Sequence, residues 1–61
     1  MEMSGKELVK LLKKNGWVVV RIEGSHHIMR KDSETVCVPV RGNKALKPGL
    51  ISSLLKDVGL K

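Results

Sequence analysis

The chain contains no phenylalanine and no tyrosine, and Trp17 is its only large aromatic residue. Proteins that grip nucleic acid by base stacking present several aromatic faces in series. That device is excluded, and Trp17 reads as an anchor between helix and sheet. A single cysteine, Cys37, rules out an internal disulfide, and one cysteine with two histidines makes a poor ligand set for structural zinc. Lying in Thr35-Val36-Cys37-Val38, Cys37 reads as a small apolar strand residue, the usual buried fate of a free cysteine. No apolar run approaches the ~20 residues needed to cross a bilayer. Nor does a charged start lead into an apolar segment and a small-residue cleavage site. The reading is a cytoplasmic protein with no membrane association. Acidic residues are scarce: six Asp and Glu against twelve Lys and Arg leave a net charge of +6 and a pI near 9.9. Such a balance favours a polyanionic partner such as nucleic acid, with an acidic protein or a membrane surface as the alternatives. The 61 residues are expected to form one domain over 1–61. A chain this short buries only about 60% of the surface its unfolded form exposes, which leaves little room for a buried small-molecule cofactor.

Helical periodicity brackets the chain. Between Gly5 and Asn15, Leu8, Leu11 and Leu12 recur at helical spacing, while Lys6, Lys10, Lys13 and Lys14 share the opposite face. Ser4 and Glu7 have the spacing of a capping box, and Asn15-Gly16 closes the segment. By base rate the lysine face is merely solvated, but four lysines against Glu2 and Glu7 bias it toward RNA or an acidic partner. A second helix is predicted from Pro48, with Leu50, Ile51, Leu54, Leu55 and Val58 as its apolar face. Gly59 is expected to stop it and to let Leu60 fold back on Leu55.

Between the helices the period becomes two. Trp17–Glu23, His26–Lys31 and Thr35–Val40 read as three strands. With Gly24-Ser25 as a two-residue type II′ turn, Ile22 faces His27, Val20 faces Met29, and Glu23 lies directly across from His26. A tight turn at Asp32-Ser33 sets Met29 opposite Val36 and His27 beside Val38. The pairing puts Val18, Val20, Ile22, Val36, Val38 and Val40 on one side, under both helices. Val19, Arg21, Glu23, His26, Ile28 and Arg30 are left on an open face. A one-residue slip would exchange the two histidines.

The ordered set of motifs resembles one known family. Gly16-Trp17 after a lysine-rich helix, Gly24-Ser25-His26-His27, a valine strand ending in Pro39, Gly42-Asn43, then Leu46-Lys47-Pro48-Gly49 opening a helix that ends in Gly59-Leu60 is similar to the HicA toxins. The resemblance covers nearly the whole chain and implies an α+β fold of order αβββα. Its three-stranded antiparallel sheet would carry two helices on one face, as in double-stranded-RNA-binding domains. It further implies an mRNA interferase held inactive by a HicB antitoxin, with the catalytic histidine after Gly-Ser at His26, or one place later at His27. Where the family often has an aromatic residue in the second strand this chain has Met29, which can fill the same core space.

The chemistry such an enzyme needs is modest. RNA carries its own nucleophile, the 2′-OH, so cleavage requires a base for that proton, an acid for the leaving oxygen, and positive charge at the phosphate. Histidine is the side chain suited to proton exchange near neutrality. His26 is the expected base, with Glu23, Gly24 and Ser25 in support. Arg21 and Arg30, together with Lys6, Lys10, Lys13 and Lys14, are the expected phosphate contacts. No metal is required. The competing reading is a module that binds double-stranded RNA by shape without cutting it, which would have no use for an imidazole beside the turn.

Overall fold

A computed structural model of the protein describes residues 3–42 and 44–60. Glu2 and Asn43, used above in the charge balance and the motif, lie outside the described residues. Helix α1 spans Gly5–Lys14. Its start is fixed by reciprocal bonds: the Glu7 amide donates to Ser4 Oγ at 3.2 Å, and the Ser4 amide donates to Glu7 Oε1 at 3.1 Å. Removing that oxygen in Ser4→Ala should cost about 1 kcal/mol, read as a drop of about 4–8 °C in the thermal midpoint. An unchanged midpoint would mean that the cap does not contribute.

Both helices end the same way. After α1, the Gly16 amide donates to the Lys13 carbonyl at 3.2 Å and the Trp17 amide to the Leu12 carbonyl at 3.0 Å. After α2, which spans Pro48–Asp57, the Gly59 amide donates to Lys56 at 3.1 Å and the Leu60 amide to Leu55 at 2.8 Å. Each is a Schellman motif with glycine at the left-handed position. In the first, the motif also delivers Trp17 into the core beside Leu12.

Between the helices run β1 (Val18–Glu23), β2 (His26–Lys31) and β3 (Glu34–Pro39), antiparallel in the order β1-β2-β3. The helix–three-strand–helix order is the α+β architecture expected. Gly24 has φ +59° and Ser25 is not in the left-handed region, the signature of a type II′ turn. At the second turn Asp32 takes φ +56°, braced by the Arg30 Nε–H donating to its carbonyl at 3.1 Å.

The β2–β3 register is the one expected, with Met29 opposite Val36 and His27 opposite Val38. The β1–β2 register is as expected only near the turn, where Ile22 pairs with His27 and Glu23 with His26. A bulge between Val19 and Arg21 then adds one residue, and Val19 rather than Val20 lies opposite Met29. The assignment of Val19 to the open face and of Val18 and Val20 to the buried one is therefore corrected. Val19 packs against the core, whereas Val18 is 61% and Val20 56% exposed. Ile22 is on the inner side as read, yet 57% exposed, because the helices lean on β3 and leave the inner surface of the β1 edge uncovered. Two further corrections follow. Cys37 is exposed, since its pairing with Ile28 puts it on the open face. Leu50 is 38% exposed, at the margin of the α2 apolar face.

The core is Leu8, Val9 and Leu12 of α1, Trp17, Met29, Val38 and Leu54 of α2. Both helices therefore cover one side of the sheet. The Trp17 indole Nε1 is buried without a hydrogen-bond partner among the described residues. Gly5 holds α1 against the end of β3: a side-chain carbon there would overlap the Pro39 carbonyl oxygen and stand 2.8 Å from Val40 Cα. The Leu46 amide donates to the Met3 carbonyl at 2.8 Å, and Ser4 and Ala45 form an isolated antiparallel bridge. The β3–α2 connection is thereby fastened to the start of the chain.

Candidate active site

The pleat separates the two histidines. His27 points toward the helices between Ile22 and Val38; it is half-buried, and its Nδ1 is buried with no hydrogen-bond partner among the described residues. His26 points the other way and is exposed. On the open face the residues fall into three cross-strand rows: Glu23, His26 and Pro39; then Arg21, Ile28 and Cys37; then Val18, Arg30 and Thr35. His26 is thus the central residue of the row next to the Gly24-Ser25 turn. That turn is tied to the end of β3 by the Val40 amide, which donates to the Ser25 carbonyl at 2.6 Å.

The structure brings Glu23 beside His26 as the pairing requires, but the Glu23 carboxylate is held at 3.0 Å by the Arg21 guanidinium, both side chains being more than half exposed. A pair so exposed contributes at most about 1 kcal/mol to stability, and either partner can turn to another charge at small cost. The His26 ring makes no side-chain hydrogen bond among the described residues and is accessible from solvent. Arg30 is exposed two rows away.

The lysines of α1 are not part of this assembly. Lys6, Lys10, Lys13 and Lys14 are exposed, but α1 covers the inner side of the sheet, so its outward face is turned away from His26. A second group of cations escaped the sequence reading. Arg41, Lys44 and Lys47, with Pro39, Ala45, Leu46 and Leu50, line a cavity of about 260 Å³. Pro39 is common to this cavity and to the His26 row. The available signal is three cations within seven residues, Arg41, Lys44 and Lys47. Among the described residues no three of His, Cys, Asp or Glu are grouped as metal ligands, and no helix is long and apolar enough to cross a membrane.

The αβββα order and the uncovered sheet face define a small α+β domain whose open face carries the exposed His26, Glu23, Arg21, Cys37 and Arg30. Residues 5–60 match the family described as the HicA toxin of bacterial toxin–antitoxin systems, and the chain belongs to that family. It is accordingly the toxin member of such a pair, in a family whose general activity is RNA cleavage. No curated protein and no solved structure matches the chain significantly.

Proposed function

We propose that this toxin is a metal-independent endoribonuclease of mRNA that uses His26 as its general base, acts in the cytoplasm, and is silenced by a HicB-type antitoxin covering the open face. The supporting observation is the exposure of His26 in the middle strand, with Arg21 in the next cross-strand row and Arg30 two rows away on the same face. In the reaction the His26 imidazole takes the proton of a ribose 2′-OH. The 2′ oxygen attacks the adjacent phosphorus, and the bond to the 5′ oxygen breaks as that oxygen takes a proton from solvent water. The products are a 2′,3′-cyclic phosphate and a 5′-hydroxyl. Because the substrate supplies the nucleophile, base, acid and charge stabilisation suffice. Glu23 contributes by orienting the imidazole across the strand pair, with Gly24 and Ser25 fixing the turn that presents it. The guanidinium groups of Arg21 and Arg30 offset the charge that builds on the phosphate.

The direct test is incubation of the purified protein with a structureless RNA in EDTA, followed by analysis of the ends. Cyclic phosphate and 5′-hydroxyl termini are expected; RNA bound but uncut would replace this reading with the non-catalytic double-stranded-RNA-binding one. Occlusion has its own test: in the antitoxin complex His26 should be protected from a histidine-modifying reagent. A silent complex with His26 still reactive would exclude it.

His27 has a different part. Its side chain fills space between Ile22 and Val38, so His27→Ala should lose packing, partly offset by removal of the unpartnered Nδ1. A net loss of about 1 kcal/mol is expected, with cleavage retained below the new melting temperature. An inactive but normally stable His27→Ala would exchange the roles of the two residues.

A further inference from the structure

We infer that the cavity lined by Pro39, Arg41, residues 44–47 and Leu50 is a subsite for one nucleotide of the RNA chain, next to the phosphate acted on at His26; this rests on the RNA-cleaving function proposed above. Three observations carry it. First, the lining is divided by chemistry: Pro39, Ala45, Leu46 and Leu50 supply apolar surface, and Arg41, Lys44 and Lys47 are exposed cations, with no acidic side chain among them. Apolar surface beside exposed cations suits a base joined to a phosphate, and it repels neither part. Second, the cavity is in the correct place. Pro39 pairs directly with His26 across β2 and β3, so the cavity begins at the end of the histidine row, about one strand spacing, ~4.8 Å, from the His26 backbone. A strand of RNA crossing His26 toward β3 arrives there next. Third, the walls are held in position. The Lys44 amide closes a turn onto the Arg41 carbonyl at 3.1 Å, the Leu46 amide bonds to Met3 at 2.8 Å, and Ala45 bridges to Ser4. With about 260 Å³ the cavity is small beside the ~300–1,000 Å³ of drug-sized sites, which suits one nucleotide and not a duplex.

The composition also determines what the subsite can read. Its apolar side chains offer no hydrogen-bond partner to a base edge, and arginine and lysine recognise the phosphate whatever base it carries. The subsite therefore contributes affinity and direction, with little sequence preference.

The experiment separates binding from cleavage. The probe is an all-2′-deoxy tetranucleotide, which lacks the 2′-OH nucleophile, titrated into the ¹⁵N-labelled full chain. Amide shifts are expected at Ala45, Leu46 and Leu50 as well as at the Gly24–His26 turn. In the variant Arg41→Ala/Lys44→Ala/Lys47→Ala the affinity should fall about 10-fold, with a salt slope lower by about 0.7 for each phosphate that is no longer neutralised. Leu50→Glu, which sets a carboxylate over the floor of a solvent-facing site, should abolish the shifts at Ala45 and Leu46. In cleavage assays the triple variant should lower the ratio of kcat/KM for a tetraribonucleotide to that for a dinucleotide by a similar factor. Probe shifts confined to β1 and β2, or wild-type affinity in the triple variant, would overturn the subsite. If the triple variant lost affinity for the antitoxin alone, the cavity would be a protein-binding surface and the proposal would fall. If the wild-type protein failed to cut RNA while the Ala45, Leu46 and Leu50 shifts appeared, the subsite would stand and the nuclease reading would fall.

Discussion

His26→Ala should lose RNA cleavage by about 10²–10⁴-fold, the usual consequence of removing a general base, while the melting temperature barely moves. The expectation rests on where the ring lies. His26 is exposed on the face that the helices do not cover, and its imidazole makes no hydrogen bond to any described side chain. Its removal therefore opens no cavity and strands no partner, and stability should change by about 0.5 kcal/mol or less. Circular dichroism melts and a cleavage time course on the same preparation check both halves. Wild-type cleavage by this variant would end the assignment of His26 as base. A well-folded variant that neither binds nor cuts would mean that the residue grips the substrate instead of deprotonating it.

Gly5→Ala is expected to do the opposite. A methyl group at Gly5 meets the Pro39 carbonyl oxygen and Val40 Cα, and both neighbours are backbone, so no side-chain rotation relieves the overlap. Either α1 moves off the sheet or the end of β3 bends away from it. Overpacking of this kind costs about 2–3 kcal/mol, against a total of roughly 3–9 kcal/mol for a chain of this size at ~0.05–0.15 kcal/mol per residue. The melting temperature should drop by roughly 10–20 °C. Cleavage should survive at low temperature and vanish as the variant unfolds, a pattern that His26→Ala cannot produce. A wild-type melting curve would mean that helix and strand tolerate separation there, and that the close approach is not needed.

The two residues also mark what could be read from the chain before its structure. Helix ends were legible because their chemistry is local: Ser4 with Glu7, Gly16 and Gly59 each act within five residues of themselves. The pairing of β2 with β3 and the opposition of Glu23 and His26 were legible for the same reason, since two-residue turns determine register. Register failed where no local signal exists. Val18-Val19-Val20 is uniformly β-branched, without alternation to show which valine is the extra one, and so the bulge is invisible in the sequence. Cys37 was misread through habit of residue type, although its place opposite Ile28 already assigned it to the open face. Gly5 looked like an ordinary first helical residue because its constraint comes from Pro39 and Val40, more than thirty residues away. The Arg41–Lys47 cavity is assembled from β3, the connecting segment and α2, and depends on the Ser4–Ala45 bridge; no sequence window contains all of these. The α1 lysines were legible as a charged face, but the side of the sheet they occupy is decided by packing alone.

The bulge has a consequence for how the family can vary. On the turn side of Val20 paired residues in β1 and β2 have numbers that sum to 49, as for Ile22 and His27; on the far side the sum is 48, as for Val19 and Met29. A chain lacking Val20 would keep each of these partnerships, because the deletion brings Val19 into step with the ladder that the turn begins. In genetic terms, Val20 is a place where β1 can lose one codon without inverting its inner and outer residues, whereas loss of Ile22 would bring Arg21 to the inner side.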